Sequence, residues 1–273
     1  MLEADPAVDM NRGMSTITLL TDFGVSSPYI AQMKGVLVAR VPNVRLIDLT
    51  HSVAPQRVLA GAITLLDLAP WFPPGTIHVG VVDPGVGTER RILAASVGDW
   101  HFVLPDNGLL SPIAERFNVH QIVSLNKPEF WLPSVSNTFH GRDIMSPVAA
   151  AIANGIPLEQ LGEPVSNLKK VVLPEPTVEA GITRGEVLYV DSFGNLVTNI
   201  MAEQVECGET FTIGGQQVSG LVYSYGNRNP GELIALIGSS SRLEFAIVDG
   251  NAAARLGTAV GAEVVVSPSS PSR

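Results

Sequence analysis

Thr16–Leu37 reads TITLLTDFGVSSPYIAQMKGVL, and this stretch sets the fold of the first half of the chain. Thr16–Leu20 is β-branched and apolar, the composition of a buried strand. It stops at Thr21-Asp22-Phe23-Gly24. A helix follows from about Pro28, with Tyr29, Ile30, Met33, Val36 and Leu37 on one face. Proline in the first turn suits a helix start, because its missing N–H has no partner there anyway. The strand–turn–helix pattern then recurs. Val44–Leu49 is a second strand, and Val58–Leu68 a second helix ended by Pro70 and Pro73-Pro74-Gly75. Thr76–Val82 is a third strand, with Asp83-Pro84-Gly85-Val86-Gly87 at its end. Ile92–Val97 and Trp100–Leu104 read as a hairpin about Gly98-Asp99. Gly108–Phe117 is a helix, Gln121–Leu125 a strand and Ile144–Ala153 an alanine-rich helix. The alternation predicts an α/β N-terminal domain over 15–162, a largely parallel sheet flanked by helices. Ligands of such sheets bind beyond the carboxyl ends of the strands, where Asp22 and Asp83 both fall.

The texture changes at LGEPVSNLKKVVLPEPTVEA, residues 161–180. Three prolines and mixed polarity predict a linker over 163–180. Seven strand-like runs follow: Glu186–Val190, Leu196–Ile200, Glu209–Ile213, Leu221–Tyr225, Glu232–Ile237, Leu243–Val248 and Ala262–Ser267. They predict an all-β, barrel-like C-terminal domain over 181–268. Residues 1–14 and 269–273 read as polar tails. The N-terminal segment contains acids and no apolar run, so it does not resemble a signal peptide.

Composition excludes several classes. The chain has 273 residues, 45% of them hydrophobic, which is enough to bury a substantial core and argues against general disorder. Its net charge of −9, with no basic run, disfavours nucleic acid and anionic membrane surfaces as partners, since both need clustered cations. A single cysteine, Cys207, precludes an intramolecular disulfide and a cysteine-based zinc site; it reads as a small buried apolar side chain. No apolar run of transmembrane length occurs, and a cytoplasmic location is expected.

Several polar turns can carry chemistry. Asp22 can accept hydrogen bonds from two vicinal hydroxyls, as ribose sites often do, or it can cap the following helix. In Asp83-Pro84-Gly85-Val86-Gly87-Thr88-Glu89-Arg90, a returning loop can bring Arg90 to Asp83, whether as a functional pair or as a structural clasp. No Gly-Lys-Ser/Thr follows, so this is not a phosphate loop. Thr138-Phe139-His140-Gly141-Arg142-Asp143 places His140, able to orient or deprotonate water, before a helix. Asp106-Asn107-Gly108 reads as a structural turn. In Asp191-Ser192-Phe193-Gly194-Asn195, Phe193 can stack on a base and Asn195 can pair with its edge, or the whole is a hairpin turn. Ser240-Ser241-Arg242 and Gly250-Asn251-Ala252-Ala253 complete the set. These residues leave two kinds of site open: a metal hydrolase built on Asp22, Asp83, Asp106 and His140, or a metal-free nucleoside site with an Asp–Arg–His group.

TDFG, DPGVGTERR, TFHGRD, DSFGNLVTN and GNAA, in this order, resemble the S-adenosyl-L-methionine (SAM) hydroxide adenosyltransferase family, the adenosine-forming SAM hydrolases related to SAM-dependent fluorinase and chlorinase. The resemblance runs from about Thr16 to Val266. It implies an α/β domain followed by a β-barrel domain. It also implies a homotrimer with SAM held between the N-terminal domain of one subunit and the C-terminal domain of its neighbour. The implied reaction is attack of water or hydroxide at ribose C5′, releasing adenosine and methionine. SAM is then the substrate, and neither metal nor other cofactor is needed. The family pattern assigns activation of water to Asp83, Arg90 and His140. It gives Asp22 the ribose diol, and Phe193 and Asn195 the adenine. Asp191, Ser241 and Arg242 fall where the methionine end is held, and the Asn251-Ala252 backbone falls at the adenine edge. Halogenases of this fold carry Tyr and Thr where this chain has Asp83 and Val86, which favours water as nucleophile over halide. A nucleoside-binding module without catalysis is the remaining alternative.

Overall fold

The computed structural model describes residues 14–206 and 208–268. The expectations for the first thirteen residues, Cys207 and residues 269–273 lie outside the described residues. The chain divides into two compact units between Val172 and Leu173.

The first unit contains β1 (Thr16–Thr21), α1 (Pro28–Arg40), β2 (Arg45–Thr50), α2 (Val58–Leu68), β3 (Ile77–Val81), β4 (Ile92–Val97), β5 (Trp100–Pro105), α3 (Ser111–Arg116), β6 (Val119–Leu125), α4 (Ser146–Ala153), α5 (Leu158–Leu161) and β7 (Gly162–Pro164). Its seven strands form one sheet in the order β2-β1-β3-β5-β4-β6-β7. The β1/β2, β1/β3 and β3/β5 pairs are parallel. The β4/β5, β4/β6 and β6/β7 pairs are antiparallel, so the sheet is mixed. The hairpin at Gly98-Asp99 causes the reversal, because a two-residue connection can join only antiparallel neighbours. Strand β3 shows why both faces must be covered. Ile77, Val79 and Val81 point into the core that holds Met33 and Leu37 of α1 and Val148 and Ala149 of α4. Gly80, on the other face, lies against Leu65 of α2, Leu104 and Leu109.

The second unit contains β8 (Thr177–Glu179), β9 (Ile182–Val190), β10 (Leu196–Met201), β11 (Thr210–Ile213), β12 (Gln216–Ser219), β13 (Leu233–Ile237), β14 (Arg242–Ile247), α6 (Ala252–Leu256) and β15 (Glu263–Ser267). These strands form an antiparallel sheet in the order β12-β11-β15-β9-β10-β14-β13, with β8 on β9. It curls into a nearly closed barrel around Val187, Leu196, Phe211, Leu243, Phe245 and Val264.

Local readings shift in four places. Leu221–Tyr225 is not a strand. The hairpin partner of β11 is the polar run Gln216–Ser219, turned back by Gly214 and Gly215 at φ 56° and 73°. Strand β9 starts at Ile182 rather than Glu186. The proline-rich stretch contributes two three-residue strands, β7 and β8, and Pro164 of β7 sits on the edge of its sheet, where a missing ladder N–H is tolerated. The helix read from Gly108 begins only at Ser111, because Gly108 has φ 110° and belongs to the preceding turn.

Candidate active site

The carboxyl ends of β1 and β3 open onto a cavity of about 210 Å³. Asp22, Phe23, Gln56, Asp83, Val86, Thr138, Phe139 and His140 are among its lining residues. All of them belong to the first unit.

The turn after β3 folds back on itself through two consecutive tight turns. Val86 N–H donates to the Asp83 carbonyl at 3.2 Å and Thr88 N–H to the Gly85 carbonyl at 3.1 Å. Gly87 is required at the apex. It has φ 79°, and a Cβ there would run into the main-chain oxygen of Asn137. The return brings Arg90 onto Asp83. Arg90 Nε donates to Asp83 Oδ1 at 2.9 Å and Oδ2 at 2.7 Å, and Nη2 lies 2.5 Å from Oδ2. Both side chains are nearly inaccessible, 5% and 4% exposed, so the pair is a desolvated, multiply bonded ion pair.

Arg90 also reaches His140, with Nη2 2.9 Å from Nδ1. A guanidinium can only donate, so Nδ1 must accept. His140 is therefore neutral and carries its proton on Nε2. Burial and, next, the Arg90 charge hold its pKa below the ordinary histidine value, against the opposing charges of Asp83 and Asp143. Asp83 and His140 line the cavity, whereas Arg90 is not among its lining residues and backs them both.

Asp22 is not a helix cap. The cap of α1 is Ser27, whose side chain accepts from Tyr29 N–H. Asp22 Oδ2 instead accepts the main-chain N–H of Gln56 at 2.7 Å. Gln56 has φ 63°, a conformation uncommon for a glutamine. Sequence reading missed it, since nothing local marks glutamine for a left-handed backbone. The turn carrying Asp22 is further held by Thr21, whose hydroxyl lies 2.9 Å from His51 Nδ1 and accepts from Phe23 N–H at 3.3 Å.

Asp106 takes no part in the cavity. It binds Arg91 at 2.5 Å and accepts Lys169 N–H at 2.9 Å. The four-residue metal set of Asp22, Asp83, Asp106 and His140 is therefore not assembled. Among the described residues, no group of three His, Asp or Glu side chains is arranged to hold a metal ion.

In the second unit, Asp191 organises its own loop. Its Oδ1 accepts the N–H groups of Phe193 and Asn195 at 2.9 and 2.8 Å, and its Oδ2 accepts Asn195 Nδ2 at 2.9 Å. This leaves Phe193 75% exposed. Asn251 caps α6 by accepting from Ala254 N–H at 2.7 Å and packs against Gly194, and Ala252 is fully buried. The 191–195 and 250–254 loops are thus neighbours, joined by Ala253 N–H to the Gly194 carbonyl at 3.0 Å. Ser241 and Arg242 stand at the other end of β14, where Arg242 pairs with Met201 while Phe245 pairs with Leu196. Ser241 has φ 58°, and Arg242 Nη1 lies 3.5 Å from the Met201 sulfur. No described helix is long and apolar enough to cross a membrane.

Comparison with known proteins resolves the family. Residues 17–162 match the model of the SAM hydroxide adenosyltransferase N-terminal domain, and residues 185–265 match that of its C-terminal domain. The chain belongs to the SAM hydroxide adenosyltransferase family. It is 39% identical over 248 residues to a protein named (R)-S-adenosyl-L-methionine hydrolase from Salinispora tropica, covering 90% of this chain and 95% of that one. A protein of the same name from Thermus thermophilus is 38% identical over 261 residues, covering 92% and 99%. The structure also superposes on a crystal structure of a conserved Thermotoga maritima protein with a TM-score of 0.87, at 34% identity over 92% of this chain and 99% of that one. Fluorinases are more distant, as at 27% identity over 71% of the chain for that of Actinoplanes. The chain therefore stands with the hydrolases in sequence, and it carries Asp83 and Val86 in the turn after β3.

Proposed function

We propose that this chain hydrolyses SAM to adenosine and L-methionine. The observation that carries the reading is the placement of Asp83 and neutral His140 on the wall of one cavity, with Arg90 locked behind both.

The sulfonium of SAM is already a good leaving group, so catalysis rests on holding a nucleophile in line with the C5′–S bond. A water in the cavity would receive a hydrogen bond from His140 Nε2–H and donate one to Asp83. His140 cannot take the proton at Nδ1 without giving up Arg90, so Asp83 is the proton acceptor. The new O–C5′ bond forms as the C5′–S bond breaks, the electron pair goes to sulfur, and neutral methionine leaves. The proton passes to Asp83 and then to solvent. Arg90 does not touch the substrate; it fixes the carboxylate and the imidazole tautomer. Asp22, its carboxylate oriented by Gln56 N–H, would hold the ribose hydroxyls. Phe193, Asn195 and the Asn251-Ala252 backbone would take the adenine, and Asp191, Ser241 and Arg242 the methionine end. The reading calls for no metal and no other cofactor, and for a homotrimer.

The test is incubation of the purified protein with SAM in halide-free buffer containing a chelator, with products separated chromatographically. Adenosine and methionine in equal amounts are expected. Turnover only with chloride or fluoride, giving a 5′-halogenated nucleoside, would establish a halogenase instead. SAM binding without product would establish a binding module, although such a module has no evident use for a buried Asp83–Arg90–His140 group. Native mass measurement would test the trimer.

A further inference from the structure

The segment Phe139–Asp143, FHGRD, contains a second ionic pair beside His140. Gly141–Met145 forms a π-helical turn leading into α4. Such turns recur at functional sites. Asp143 within it is completely buried. A buried carboxylate is costly unless several donors satisfy it, and here they come from Ser136 before His140 in the chain and Arg142 after it. Arg142 donates from Nε to Asp143 Oδ1 at 2.6 Å and from Nη2 to Oδ2 at 3.1 Å. Ser136 N–H donates to Oδ2 at 2.8 Å. The main chain of Asp143 accepts Leu132 N–H at 2.9 Å and donates to the Phe139 carbonyl at 3.1 Å.

Arg142 extends the grip. Its guanidinium lies 5.0 Å from the centre of the Phe139 ring, and its Nη1 donates to Gln32 Oε1 of α1 at 2.7 Å. Phe139 in turn meets Phe23 and Tyr29 edge-on, with ring centres 5.9 and 5.2 Å away. The residues before and after His140 are thus tied to one buried charge.

We propose that Asp143, together with Arg142, is a positioning residue pair that clamps the 136–143 segment and so aims His140 Nε2–H into the cavity. Its role in turnover rests on the hydrolase reading above, while the clamp itself does not. The charged groups facing His140 are Arg90 and Asp83 from the turn after β3 and Asp143 from its own turn.

The test pairs Asp143→Asn with Arg142→Gln. In each, the His140 ring is titrated by NMR in the free protein, and kcat and KM for SAM are measured. Asp143→Asn removes a negative charge near His140, so its midpoint falls. Arg142→Gln unmasks that charge, so the midpoint rises. Both variants should lose kcat by on the order of ten- to hundredfold through misplacement, with KM little changed. Folded Asp143→Asn with an unmoved midpoint and wild-type kcat overturns the proposal. If Asp143→Asn does not fold, Arg142→Gln decides alone by the same criterion. The titration needs no substrate, so wild-type protein that fails to turn over SAM would sink the hydrolase reading, and the His140 midpoint alone would then decide the clamp, an unmoved midpoint in both variants overturning it.

Discussion

Nδ1 of His140 accepts a hydrogen bond from Nη2 of Arg90 across 2.9 Å, although fifty positions separate the two in sequence. Protonating His140 would set two donors face to face and break this contact. The pKa of His140 is lowered, first by burial and then by Arg90. The contact is therefore fully present above the ordinary histidine value of about 6.5 and is lost only as pH falls through a lower midpoint. The kcat/KM profile should be flat from neutrality down past pH 6.5 and then drop. A fall centred above 6.5 would contradict the assignment.

The proposed role of Asp83 as proton acceptor predicts a loss of turnover when it is replaced. Asp83→Asn should lower kcat by about 10²–10⁴-fold, the usual contribution of acid–base catalysis, while KM changes little. Single-turnover kinetics on SAM checks this, and wild-type turnover would refute the role.

Arg90→Ala should damage folding as well as activity. It leaves the Asp83 side chain, only 4% exposed, without its cation. Breaking a buried pair from one side costs about 3–5 kcal/mol. Urea unfolding measures this loss, and a change under about 1 kcal/mol would mean that water replaces the guanidinium.

Asp22→Ala should act on binding. A carboxylate on two hydroxyls supplies charge-assisted bonds of about 1.5–3 kcal/mol each, so KM should rise at least tenfold with a smaller effect on kcat. A kcat loss with unchanged KM would remove Asp22 from the ribose.

His78 should make stability pH-dependent. It is fully buried, with its ring stacked on Phe102 and its Nδ1 2.7 Å from Thr18 Oγ1. Burial lowers its pKa to about 3. The stability contributed by neutral His78 is fully present above about pH 6.5 and declines toward pH 3, by roughly 1.4 kcal/mol per unit. His78→Phe should shrink the difference in unfolding free energy between pH 7 and pH 4.5. An unchanged difference would place the acid sensitivity elsewhere.

Much of this was legible in the chain because the signals are local. TITLL reads as a buried strand from its branched residues, and the DPGVG turn announces itself through Pro and Gly. Leu221–Tyr225 misled because its apolar residues resemble a strand, while the true strand Gln216–Ser219 is polar and is recruited by the Gly214-Gly215 turn. Gln56 carries no local mark, since its left-handed backbone is imposed by the loop that reaches Asp22.

The sequence by itself determined most strands and helices of the first unit and the two textures of the chain, which depend on periodicity and turn chemistry within a few residues, and it carried the motifs that resemble the SAM hydroxide adenosyltransferases. Only the tertiary structure decided that Arg90 backs the cavity rather than lining it, that Asp106 is drawn away to Arg91, and that His140 is a neutral donor. Those outcomes depend on which groups lose water together and which donors meet which acceptors, and no spacing along the chain encodes that.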